Sequence, residues 1–111
     1  MQVLTTFQDR RLTLYLRGEL DHHAAKEAMR RIEQLLDEYL PRDCALDMAQ
    51  LTFMDSSGIA LILRTHKRLM QMGGRAWVEN ASPQALRVID ASGIDRIIRI
   101  IQSAGGITNE S

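Results

Sequence analysis

Alternation of apolar and polar positions marks two short strands at the start of the chain, over residues 3–7 and 11–17. Leu12, Leu14 and Leu16 alternate with Arg11, Thr13, Tyr15 and Arg17, the period of two that a half-buried strand requires. Gln8, Asp9 and Arg10 leave a turn-sized gap, so the runs predict an antiparallel hairpin, with Gly18 closing its second strand. The period then changes. Ala25, Ala28, Met29, Ile32, Leu35, Leu36 and Tyr39 recur at helical spacing, with Lys26, Arg30, Arg31, Glu33 and Asp37 between them, and predict an amphipathic helix over 22–40. Asp21 is placed to cap it and Pro41 to stop it.

Cys44 to Met48 is a short apolar run and reads as a strand. A second helix opens after Met54, with Ile59, Ile62, Leu63, His66, Leu69 and Met70 as its buried stripe and Gly73-Gly74 as its stop. Ala76 to Val78 follows as a strand. Ser82-Pro83 starts a third helix, which carries Leu86 and Ile89 and ends near Gly93. Ile97 to Ile101 reads as a last buried strand. The order β-β-α-β-α-β-α-β predicts an α/β fold with a mixed sheet, an N-terminal antiparallel hairpin then parallel strands, covered by helices. One domain is expected over 1–101, and residues 102–111, polar and Gly-containing, are expected to form a flexible tail.

Composition narrows the function classes. Of 111 residues, 45% are apolar and 25% charged, ordinary globular usage that excludes wholesale disorder. The 14 basic residues balance the 14 acidic ones, which counts against direct nucleic-acid binding. The longest uncharged apolar run, Gly58 to Leu63, is too short to insert in a membrane. No signal-peptide pattern opens the chain, and one cysteine makes no internal disulfide. A soluble cytoplasmic protein is expected.

The stretch from Leu51 to Gly58 carries the most chemistry: Met54-Asp55-Ser56-Ser57-Gly58 sets a carboxylate and two hydroxyls where a helix begins. Capping explains such a group without any function, because Asp and Ser oxygens accept hydrogen bonds from the free N–H groups of a first turn. The same N–H groups favour anions, so a phosphate on Ser56 or Ser57 would be tolerated there. It would still add about −1.5 to −2 charges. A nucleophilic-serine enzyme is the other alternative, but the first Gly of a Gly-x-Ser-x-Gly elbow is missing. His22 and His23 are adjacent, do not share a helix face, and have no further ligands at metal spacing. No metal or cofactor is expected. His66 on an apolar stripe reads as a buried, hydrogen-bonded residue, and Cys44 as a small core residue. Met54 fits either core filling or a surface that meets a partner. Arg64, His66, Lys67 and Arg68 read as a solvated helix face.

At these residues the chain resembles a known family. Gly18-Glu19-Leu20-Asp21-His22-His23-Ala24-Ala25 and Phe53-Met54-Asp55-Ser56-Ser57-Gly58-Ile59 are similar to the STAS-domain anti-anti-sigma factors, most of all the sporulation type. Gly73-Gly74, Ser82-Pro83, Ser92-Gly93-Ile94 and Ile97-Ile98-Arg99 extend the resemblance, which runs from about residue 3 to residue 101. It implies the fold read above and a partner-switching regulator without catalysis of its own. The unphosphorylated form would bind an anti-sigma factor that is also a serine kinase, the anti-sigma F factor in sporulation, and release the sigma factor. Phosphorylation of Ser56 would switch it off, and a serine phosphatase would reset it. Asp21 matches a partner-binding position of the family. His22 and His23 beside it, and Met54, Asp55, Ser57 and Gly58 around Ser56, complete the implied interface. A regulator of another partner-switching pathway, such as the general stress response, stays open. Many members continue past the last strand into another helix, whereas only Gln102 to Ser111 remain here. That strand is then left open or covered by a second copy, so a homodimer is an open alternative.

Overall fold

A computed structural model describes residues 1–102. β1 (Gln2–Gln8) and β2 (Arg11–Leu20) pair antiparallel, with Gln8 opposite Arg11. The two-residue turn holds Asp9 and Arg10 at φ of 54° and 65°, and positive φ at both positions lets a tight turn follow the right-handed twist of its strands. After it come α1 (His22–Tyr39), β3 (Asp43–Met54), α2 (Ser56–Gln71), β4 (Arg75–Glu79), α3 (Pro83–Ser92), a 3-10 turn (Ile94–Arg96) and β5 (Ile100–Ile101). The sheet order is β1-β2-β3-β4-β5, parallel from β2 onward. The mixed sheet and the element order are those the sequence predicts.

Leu12, Leu14 and Leu16 of β2 share a face with Cys44, Leu46 and Met48 of β3, and all three helices close over it in one core. Each Leu fully buried there contributes about 2 kcal/mol. Among the described residues the helices lie on this face alone. On the opposite face the Arg11 guanidinium sits 4.9 Å from the centre of the Trp77 ring, a cation–π contact.

Three elements differ from their sequence readings. β3 runs six residues past Met48, because β2 extends to Leu20 and pairs with it throughout. The register shifts between Tyr15 and Arg17 and again between Gly18 and Glu19, so two bulges break the alternation over this part of β3. Gly18 lies at the second shift with φ of 109°, a conformation in which side chains are strained. On α2 the buried stripe is Gly58, Leu61, Ile62, Thr65 and Leu69, while Met70 is exposed. Thr65 sits in the core because its hydroxyl donates to the Leu61 carbonyl, 2.9 Å away. Of the predicted last strand only Ile100 and Ile101 pair with β4, and Ile97 is exposed. The tail prediction falls mostly outside the described residues. Gln102, its first residue, is tied down: its side chain accepts from Ala81 N–H at 2.7 Å and donates to the Ala81 carbonyl at 3.0 Å.

Cys44 is a core residue, as read, and burial pushes its thiol pKa from 9.0 up to about 12. The folded chain therefore holds this proton more tightly than the unfolded chain. The associated stability is complete below pH 9.0 and is lost as the pH rises toward 12. A loss of about 1 kcal/mol is expected at about pH 10. Denaturant unfolding of the parent and of Cys44→Ala at about pH 8 and about pH 10 tests this. Equal pH dependence in the two chains would remove Cys44 as its source.

Candidate functional site

β2 and β3 end side by side, with Leu20 opposite Met54. Each is followed by an aspartate that starts a helix. Asp21 caps α1 by accepting the Ala24 N–H on its carboxylate at 2.8 Å, and Asp55 caps α2 by accepting the Ser57 N–H at 2.8 Å. Backbone bonding joins the two caps, since Asp55 N–H donates to the Leu20 carbonyl at 3.4 Å. Parallel pairing of β2 and β3 thus brings Asp21 and Asp55, far apart in sequence, to one end of the sheet. Capping at each position stabilises its helix by about 1 kcal/mol.

Ser56 is the first residue of α2 and is exposed. Its hydroxyl makes no hydrogen bond among the described residues. Ser57 is half-buried and enters the cap through its backbone N–H rather than its hydroxyl. Its side lines a cavity of about 240 Å³ between the helices, together with His22, Lys26 and Arg64. His23 turns the other way, into a separate cavity with Met1, Glu27 and Arg31. Both histidines lie in the first turn of α1, and only His22 lines the cavity that Ser57 borders, a cavity that Ser56 does not line.

Met54 and Gly58 hold the site from below. Met54 is fully buried, and this corrects the reading of Met54 as a partner-facing residue: its side chain faces the core. A Cβ at Gly58 would collide with Met54 Cγ and lie 2.5 Å from its sulfur, so Gly58 is what allows α2 to start so close to the end of β3. Gly58 is buried too and supports the site without facing a partner.

Gln84 is a contributor that the sequence reading missed. β4 ends its pairing with β3 at Asp47, which leaves the upper edge of β3 uncovered. There the Gln84 carboxamide oxygen accepts from Met54 N–H at 2.7 Å, and its nitrogen donates to the Met54 carbonyl at 2.9 Å. The only local signal was a polar residue near the N-cap of α3. Gln84→Ala is expected to cost about 1–3 kcal/mol, by leaving two backbone groups unpaired, and to speed amide exchange at Met54. Unchanged exchange there would show that Gln84 does not hold the strand end.

Comparison with known proteins follows the same outline. Residues 2–106 match the family model of the STAS domain. The chain is 34% identical over 89 residues to the anti-sigma F factor antagonist of Paenibacillus polymyxa, covering 80% of this chain and 76% of that one. It is 29% identical over 91 residues to the anti-sigma-B factor antagonist of Bacillus subtilis, covering 81% and 82%. The solved structure of the anti-sigma factor antagonist SpoIIAA in its unphosphorylated form superposes with a TM-score of 0.76 at 27% identity, over 96% of this chain and 93% of that one. These likenesses support anti-sigma factor antagonism, a regulatory role rather than a catalytic one, and the chain belongs to the STAS domain family.

Proposed function

We propose that this protein is a phosphorylation-switched anti-sigma factor antagonist whose switch is Ser56. Unphosphorylated, it binds an anti-sigma serine kinase through the end of the sheet marked by Asp21, His22, Asp55 and Ser56, and the sigma factor is released. A phosphoryl group on Ser56 ends that binding, and a serine phosphatase restores it. The cycle belongs in the cytoplasm, where kinase, phosphatase and sigma factor meet.

The observation that carries this reading is the placement of Ser56. Its hydroxyl is exposed and, among the described residues, unbonded at the first position of α2, while Asp55 already satisfies the cap. A phosphate there breaks no hydrogen bond of the fold and lies near free N–H groups that favour anions. Its charge therefore acts outward, on a surface that already holds two carboxylates.

Incubation with an anti-sigma F kinase and ATP, followed by intact mass and peptide mapping, tests the proposal. One phosphoryl group on Ser56 is expected, and none without the kinase. Phosphate on Ser57, or modification by ATP alone, would overturn it. The likeness to an anti-sigma-B factor antagonist favours a second reading, the same switch serving a general stress response. Parallel titrations against anti-sigma F and anti-sigma B kinases separate the two.

A further inference from the structure

A cavity of about 410 Å³ opens at the far end of the molecule, between α2, the start of β4 and the 3-10 turn. Its mouth is apolar: Met70 is 61% exposed and Ile97 64% exposed, high values for large hydrophobic side chains. Trp77 borders it from the opposite face of the sheet, where its indole N–H donates to Glu79 at 2.8 Å and Arg11 covers its ring. Among the described residues no acidic side chain lines the space, whereas Arg75 and Arg99 both do. Neither guanidinium is ion-paired among the described residues.

Two further donors serve this cavity. His66 lines it, and its Nδ1 is buried with no hydrogen-bond partner among the described residues. A buried N–H without an acceptor is worse than a bare lone pair, so the ring hydrogen belongs on Nε2, the nitrogen not walled in. The second donor is backbone. Val78 and Asn80 donate across the β4 edge to Arg99 at 3.0 Å and Ile101 at 2.8 Å. Strand alternation turns the Ala76 N–H to that same edge, where β5 has not yet begun and no backbone acceptor among the described residues meets it.

We propose that this cavity binds a small amphipathic carboxylate, an acyl or aryl acid, with its oxygens held by Arg75, Arg99, His66 and the Ala76 N–H and its apolar part against Met70, Trp77 and Ile97. Size, apolar walls and a few converging donors are the features of a ligand pocket, and the unopposed positive charge selects an anion. The site lies by the N-terminal end of β4, whereas Ser56 follows the C-terminal end of β3, so it stands or falls independently of the switch.

Octanoate titrated into the full chain tests it. Trp77 is the sole tryptophan, so its fluorescence reports the site directly. A saturable change is expected, with an amide shift at Ala76 in heteronuclear spectra. Octan-1-ol and the double variant R75Q/R99Q should each bind at least about tenfold more weakly, the scale of one charge-assisted hydrogen bond. Both arginines are exposed, so the double variant should keep the parent's unfolding midpoint. No saturation, equal affinity for the alcohol, unchanged binding by the variant, or shifts that bypass Ala76 would each overturn the proposal.

Discussion

Ser56→Asp should fold like the parent and lose about 100-fold in affinity for the anti-sigma kinase, or about 3 kcal/mol. Its folding is expected to survive because the side chain points to solvent and a carboxylate in a first helical turn is favoured by the helix dipole. Its binding is expected to fail because the new charge joins Asp21 and Asp55 at one end of the sheet, in a contact made for a neutral hydroxyl. A kinase surface that accommodates the hydroxyl must then desolvate a third anion without a partner, the situation that makes a buried interfacial charge expensive. Ser56→Ala serves as the opposite control: it should bind as the parent does and resist modification. Titration calorimetry with each variant, beside its thermal midpoint, separates interface from fold. Near-parental affinity of Ser56→Asp, or a large fall in its midpoint, would sink the switch as described.

The largest effect on stability should come from Gly74→Ala. Gly74 N–H donates to the Leu69 carbonyl at 2.7 Å as α2 ends, and a Cβ on Gly74 would overlap the Arg42 carbonyl oxygen. That oxygen also accepts the Arg75 N–H at 3.1 Å, where the β3–β4 ladder begins. Relieving the clash means moving backbone against backbone, so the cost belongs at the upper end for overpacking, about 3 kcal/mol. For a domain of this size the Tm should fall by roughly 10–25 °C. Gly73→Ala is the matched comparison. Gly73 has φ of 80° and open space around it, so only the conformational penalty applies there, about 1 kcal/mol. Equal midpoints for the two variants would show that close approach is not what Gly74 provides.

Much of the fold was legible because the periodicities ran unbroken. β2 alternates cleanly from Arg11 to Arg17, and α1 keeps its apolar stripe from Ala25 to Tyr39. Both Asp21 and Ser82 stand where their caps are found. The second half of β3 was not legible, because burial there falls on Leu51 and Met54, three residues apart, instead of at the period of two that marks a strand. The face of α2 was misjudged because Thr65 counts as polar in any pattern, although its hydroxyl is satisfied within the helix. At the site, the sequence contained Asp55 and Ser56 as neighbours but not their closeness to Asp21, which depends on strand pairing. Gln84 was invisible for the same reason, its partner lying 30 residues away.

The bulges in β3 have a bearing on the site through parity. β2 covers the shared ladder from Arg11 to Leu20, while β3 needs Asp43 to Met54 to cover the same span, two residues more. An odd number of inserted residues would reverse every side chain beyond it; an even number restores the original alternation. Met54 therefore returns to the face of Cys44, Leu46 and Met48, and Asp55 and Ser56 leave the strand aimed at solvent beside Asp21. The loss of a single residue between Ala49 and Thr52 would send Met54 outward and turn the serines away from the aspartate, with every residue of the Asp-Ser-Ser-Gly element still in place.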